Sequence, residues 1–156
     1  MYGFLGIVVA SASIVGAKIS KRLLATYKPE KIIYIGCLVM TGGAILLSVI
    51  TFIGLNPNVI YMVVFLIAMF ILLLGIGVAL PNCLSLALVD FQDVIGTAGA
   101  LFSLGYYVIV TMTILGMSQL HTGSLLVMPL YFLVIVVIMA VFTRVFIFGK
   151  QTSKSI

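Results

Sequence analysis

The chain has 156 residues, 64% of them hydrophobic and 7% charged, with a formal charge of +5. Soluble globular domains carry about a quarter charged residues, so that class is excluded, and a mean hydropathy of +1.42 puts the chain in a bilayer. Nor does the positive charge mark a nucleic-acid binder: the 8 basic residues fall in two short clusters beside apolar runs, where they act as orientation signals.

A crossing needs about 20 apolar residues, because about 30 Å of hydrocarbon is covered at about 1.5 Å per residue. The first apolar run, 2–17, is lengthened by an amphipathic continuation to Leu24. Its cations Lys18, Lys21 and Arg22 follow the run, whereas a signal peptide carries them in front, so cleavage is not expected. Further runs cover 32–54, 59–89, 96–120 and 125–148. The expectation is an all-α polytopic transmembrane helix bundle of five spans, one domain over residues 1–156.

The connections orient these spans. Lys18, Lys21, Arg22, Lys28 and Lys31 stand against one Glu30 between the first two, and Arg144, Lys150 and Lys154 follow the last. The turn 55–58 and the segment 119–124 carry no Lys or Arg. Basic connections stay in the cytoplasm, so the first loop, the segment 90–96 and the C-terminus are expected inside, and the two neutral turns and Met1 outside. A leading helix exported without an earlier insertion signal is unusual, and further helices are expected upstream.

The third span is long: a continuous helix over 59–89 would measure about 46 Å. Pro81 removes one backbone hydrogen bond, and Gly75 and Gly77 loosen the turn before it, so a bend and hinge are expected there, with Asn82 satisfying the freed carbonyl. In the fourth span Gly96, Gly99, Ala100 and Ser103 recur three and four apart, the spacing that lets helix backbones approach closely. That makes it a packing helix, paired with the third. Asp93 and Thr97 are read as its caps. Cys37 and Cys83 are read as buried thiols and His121 as a solvated turn residue. No metal site or cofactor is expected, and no nucleophile, base and orienting acid can be assembled, so the chain is not read as an enzyme.

Pro81-Asn82, Ala87-Leu88 and Gly96-Thr97-Ala98, with Tyr2-Gly3 through Lys21-Arg22-Leu23-Leu24 upstream and Gly36 at the start of the second span, form a pattern. It resembles helices eight to twelve of bacterial multidrug:proton antiporters of the major facilitator superfamily, in the bicyclomycin and chloramphenicol resistance branch. The resemblance implies the C-terminal part of an inner-membrane carrier that exports small hydrophobic drugs by alternating access. It also implies a midplane cavity lined by the first, third and fourth spans, where Ser11, Ser13, Met69, Phe70, Tyr106, Tyr107 and Thr111 sit. Methionine and aromatic surfaces with a few hydroxyls suit loosely specified apolar ligands. The superfamily's acidic loop motif is not recognisable in 16–31, and Glu30, Asp90 and Asp93 all lie in connections. Without a carboxylate at membrane depth the chain cannot couple transport to protons alone. Its expected partners are membrane lipid, a hydrophobic substrate, and the missing N-terminal helices or a partner chain. The rival reading is a non-transporting subunit or scaffold that associates through the Gly96, Gly99 and Ser103 face. A small channel is disfavoured, since no ring of charges or filter-like motif is present.

Overall fold

The computed structural model describes residues 2–53, 59–120 and 127–152, with side chains over 6–53, 60–120 and 127–145. The helices are α1 (Tyr2–Leu24), α2 (Pro29–Ile53), α3 (Val59–Leu88), a 3-10 helix (Val89–Val94), α4 (Ile95–Leu120) and α5 (Val127–Thr152). No strand occurs among the described residues. Local chemistry sets the first boundary. Lys21 and Arg22 occupy the last turn of α1, where cations meet the negative helix end, and the Tyr27 N–H closes that turn on the Leu23 carbonyl at 2.8 Å. Pro29 and Glu30 then open α2, as a missing N–H and a carboxylate favour. The turn 55–58, His121, Met1 and Lys154 lie outside the described residues.

Among the described residues three stretches are long and apolar enough to cross a membrane: Pro29–Ile53, Ile60–Leu120 and Val127–Val145. This differs from the expected five. Over 6–24, the part of α1 whose side chains are described, every crossing-length window contains Lys18, Lys21 and Arg22, so α1 is not counted and the five-span expectation is neither met nor overturned. The middle stretch joins α3, the 3-10 helix and α4 over 61 residues. At about 1.5 Å per residue it holds enough helix for two crossings of about 30 Å.

The packed part of the molecule is built on α3. Along α2, Gly36 meets Ala79, Met40 meets Gly75, Gly43 meets Leu72, and Leu47 clusters with Ala68. Partners rise along one helix as they fall along the other, so the pair is antiparallel, and spacings of four and three mark a coiled-coil-like seam. The approach is close. A Cβ placed on Gly75 would lie 2.7 Å from the Met40 nitrogen and 2.8 Å from the Gly36 oxygen. On its other side α3 receives α1, running parallel: a Cβ on Gly16 would lie 3.0 Å from the Leu74 oxygen. Residues two apart on a helix point about 200° apart. Gly75 therefore serves α2 while Gly77 serves α1. Both sit in close contacts, so the loosened turn expected of them gives way to tight packing. α5 adds to α2 through Val136, which packs with Met40 and Ala79.

α3 stays helical through Pro81, and the break in helical dihedrals comes later, at Phe91 (φ −119°, ψ 32°). A second expectation also fails among the described residues. α4 does not pair with α3; it touches α3 and α5 sparingly and buries none of its side chains. A Cβ on Gly96 or Gly99 would meet nothing within 4 Å, and the Ser103 hydroxyl donates back to the Gly99 carbonyl at 2.8 Å. Its small-residue face is open. Asp93 lies inside the 3-10 helix, away from a cap position, and that helix is entered from Leu88 without a side-chain cap.

Three contacts show which ends lie together. Ser20 of α1 meets Asn82 of α3, Gly36 of α2 meets Ala79, and the Cys37 sulfur lies 3.7 Å from the Thr143 hydroxyl of α5. Lys18, Lys21, Arg22, Lys28, Lys31 and Arg144 are consequently gathered at one end of the bundle.

Candidate functional site

The groove that collects the most sequence-predicted residues lies between α3 and α4. Leu80 and Leu84 line one side, and Phe102, Ser103, Tyr106 and Tyr107 the other, around about 230 Å³. Helix spacing creates this wall, because residues 102, 103, 106 and 107 sit three and four apart and share a face. The two tyrosine rings stand edge to face, 5.6 Å between centroids at 67°. Tyr107 is 66% exposed. Phe102 is shared with a second apolar hollow at the 3-10 helix, lined also by Phe91 and Thr97, so the seam runs on to the break. On the outward side Tyr107 joins Thr111, Leu104, Val108 and Met112. The lining of the α3/α4 groove carries no charge.

The other predicted residues do not join this groove. Ser11 and Ser13 turn their hydroxyls onto their own helix, donating to the Val8 and Val9 carbonyls at 2.9 and 3.0 Å. Thr111 does the same to Tyr107 at 2.8 Å. Met69 packs against the cluster of Leu47, Ile50 and Ala68 between α2 and α3, and Phe70 is half-buried. These three hydroxyls are thereby spent on backbone carbonyls, as is usual for Ser and Thr within helices.

Asn82 is the main buried polar group, 2% exposed. Its amide nitrogen donates to the Ser20 hydroxyl at 2.6 Å and to the Val78 carbonyl at 2.7 Å. The carbonyl left without an N–H by Pro81 belongs to Gly77, four residues back, so the expected rescue falls one residue away and serves an α1–α3 clasp instead. Asn82→Leu is expected to remove about 0.6–2 kcal/mol of helix association, the range for interhelical hydrogen bonds in membranes. Unfolding in mixed micelles would measure it; an unchanged midpoint would show that the clasp carries no stability.

A comparison with known proteins found a distant relative. An uncharacterized transporter of Rickettsia felis (strain ATCC VR-1525 / URRWXCal2) is 28% identical over 130 residues, which is 80% of this chain and 32% of the relative. The chain thus spans about a third of that curated relative. No protein-family model matches the chain, and no solved structure matches it. What these findings carry is a membrane protein with a distant relative named a transporter.

Several residues that shape the site were not legible as such. Gly16, Gly36 and Gly43 make the close crossings, and with Ala12 and Ser20, both buried, Gly16 forms a stripe of small residues four apart on α1. That spacing was a usable signal, equal to the one on α4. Ser20 had no signal, since a serine among lysines reads as solvated. Tyr131 of α5 also carried none: its hydroxyl donates to the Thr113 carbonyl of α4 at 2.8 Å and sits over Gly116.

Proposed function

We propose that this chain is the C-terminal part of a secondary active transporter that exports small hydrophobic compounds by proton-coupled alternating access, inactive without its remaining helices. The observation that carries the reading is the match to a protein named a transporter over 80% of this chain. The finer assignment, a major facilitator drug antiporter of the bicyclomycin and chloramphenicol resistance branch in the bacterial inner membrane, rests on the resemblance of residues 81–98 and of the α1 exit. In this reading α1 is a crossing too, the Ile60–Leu120 stretch crosses twice, and the five crossings leave the cationic end and the C-terminus in the cytoplasm.

The α3/α4 groove supports it. A volume of about 230 Å³ is below the roughly 300 Å³ at which ligand pockets begin, so the groove serves as one wall of a cavity completed by helices from elsewhere. The matched stretch makes up 32% of the relative, which leaves room there for such helices. Ser103, Tyr106 and Tyr107, with Thr111 beyond them, are the substrate-facing residues in this reading, and the pivot lies at the Phe91 break, past the C-terminal end of α3 and not at Pro81.

The test is drug accumulation in cells that make this chain alone and in cells that also make the N-terminal helices of the parent carrier. Accumulation should be unchanged in the first and lowered in the second. No lowering in either case would leave the alternative, a scaffold that associates through the open Gly96 and Gly99 face of α4. Capture of a partner lost on Gly99→Leu would then mark it.

A further inference from the structure

The turn between α1 and α2 concentrates charge in a way that packing does not explain. Lys18, Lys21, Arg22, Lys28 and Lys31 are all exposed. The turn that carries them is ordered by backbone hydrogen bonds from Ala25 to Arg22, Thr26 and Tyr27 to Leu23, and Lys31 to Lys28. Orientation on α1 is set by Ser20, 4% exposed and held by Asn82. At about 100° per residue, Lys18 and Arg22 fall on the side opposite Ser20, and Lys21 falls on the same outward half. The clasp therefore turns three cations outward together.

Two further side chains say what medium this face meets. Leu24 and Tyr27 stand exposed among the cations, at 47% and 44%. An apolar body and a ring with a polar tip, interleaved with positive charge, belong at the boundary between acyl chains and headgroups. Below them α1 presents Ile14 and Val15, also exposed. Against five cations the segment carries one carboxylate, Glu30, in the first turn of α2, where the helix end holds it. Asp90 and Asp93, at the same end, belong to the 3-10 helix after α3.

We propose that the α1/α2 turn is a binding surface for the headgroups of anionic phospholipids, which it selects from a mixed leaflet. Phosphate oxygens pair with Lys18, Lys21 and Arg22 while Leu24 and Tyr27 seat in the boundary layer. The proposal rests on the chain's residence in a membrane and is independent of what it transports.

Spin-labelled phosphatidylglycerol in phosphatidylcholine vesicles, with the 156-residue chain reconstituted, tests this through the fraction of label immobilised at the protein. A preference over spin-labelled phosphatidylcholine of about threefold or more, weakened by salt, is expected from several adjacent cations. The variant Lys18→Gln/Lys21→Gln/Arg22→Gln should lose most of it. Arg144→Gln/Lys150→Gln/Lys154→Gln, which removes the same charge from the C-terminal segment and leaves the α1/α2 turn intact, should keep it. Equal loss in both variants would overturn the proposal in favour of net charge alone, and millimolar inorganic phosphate abolishing the preference would make this a phosphate site. No preference in the wild type would also overturn it. Flotation of the vesicles reads membrane insertion separately, and a chain that fails to float refutes the membrane reading along with the proposal.

Discussion

Gly43→Leu is expected to break the α2/α3 pair, whereas Gly42→Leu, one residue away, leaves it intact. A Cβ on Gly43 would lie 2.7 Å from the Leu72 nitrogen and 2.9 Å from its Cα, and both are backbone atoms that no rotamer change can move. Gly42 has nothing within 4 Å. Both substitutions add the same apolar bulk to the same helix, so helix propensity and hydropathy change alike. Lipid tails are as apolar as leucine, which leaves close packing as the main force between α2 and α3. Overpacking costs about 1–3 kcal/mol, more where the neighbour is backbone, so about 3 kcal/mol is expected for Gly43→Leu and near zero for Gly42→Leu. Denaturant titration in mixed micelles, read by circular dichroism, measures the difference. Similar midpoints for the two variants would mean that the helices do not cross at Gly43.

Tyr107→Ala in the complemented carrier is expected to raise the drug concentration needed for half-maximal export by about tenfold or more. Burying an aromatic ring against a ligand is worth about 1.5–3 kcal/mol, and about 1.4 kcal/mol is tenfold. Tyr107 borders both the α3/α4 groove and the outward face with Thr111, and its ring is the more exposed of the edge-to-face pair. Ser11→Ala and Ser13→Ala serve as contrasts. Their hydroxyls already donate to the Val8 and Val9 carbonyls, so little change in export is expected. Export that responds to the serines and ignores Tyr107 would place the substrate path along α1 instead.

The fourth helix shows best what can be read in a sequence and what cannot. That 95–120 is helical, apolar and interrupted before its start follows from run length, composition and the two aspartates of the preceding segment. These are properties of neighbouring residues along the chain. Its role in packing is different. Stripes of small residues occur on α1 (Ala12, Gly16, Ser20), at Ala44 and Ser48 on α2, at Gly75 and Ala79 on α3, and at Gly96, Gly99 and Ser103 on α4. Each satisfies the same spacing rule, and the rule states only that a close approach is permitted. Gly75 and Gly77 illustrate the limit from the other side. A Gly-x-Gly ahead of proline reads as a weak point, yet α2 and α1 pack against it from opposite sides and hold it in place.

Residence in a bilayer, the helical character of the apolar runs, and the gathering of positive charge beside them are all written in composition and order, because each depends on how a residue and its near neighbours interact with lipid and water. Which small-residue faces are filled, that Asn82 reaches across to Ser20, and that α4 stands with its glycines uncovered were decided by the arrangement of helices in space. Contact between faces depends on the position of residues tens of places away, and a spacing shared by four helices cannot say which of them will meet.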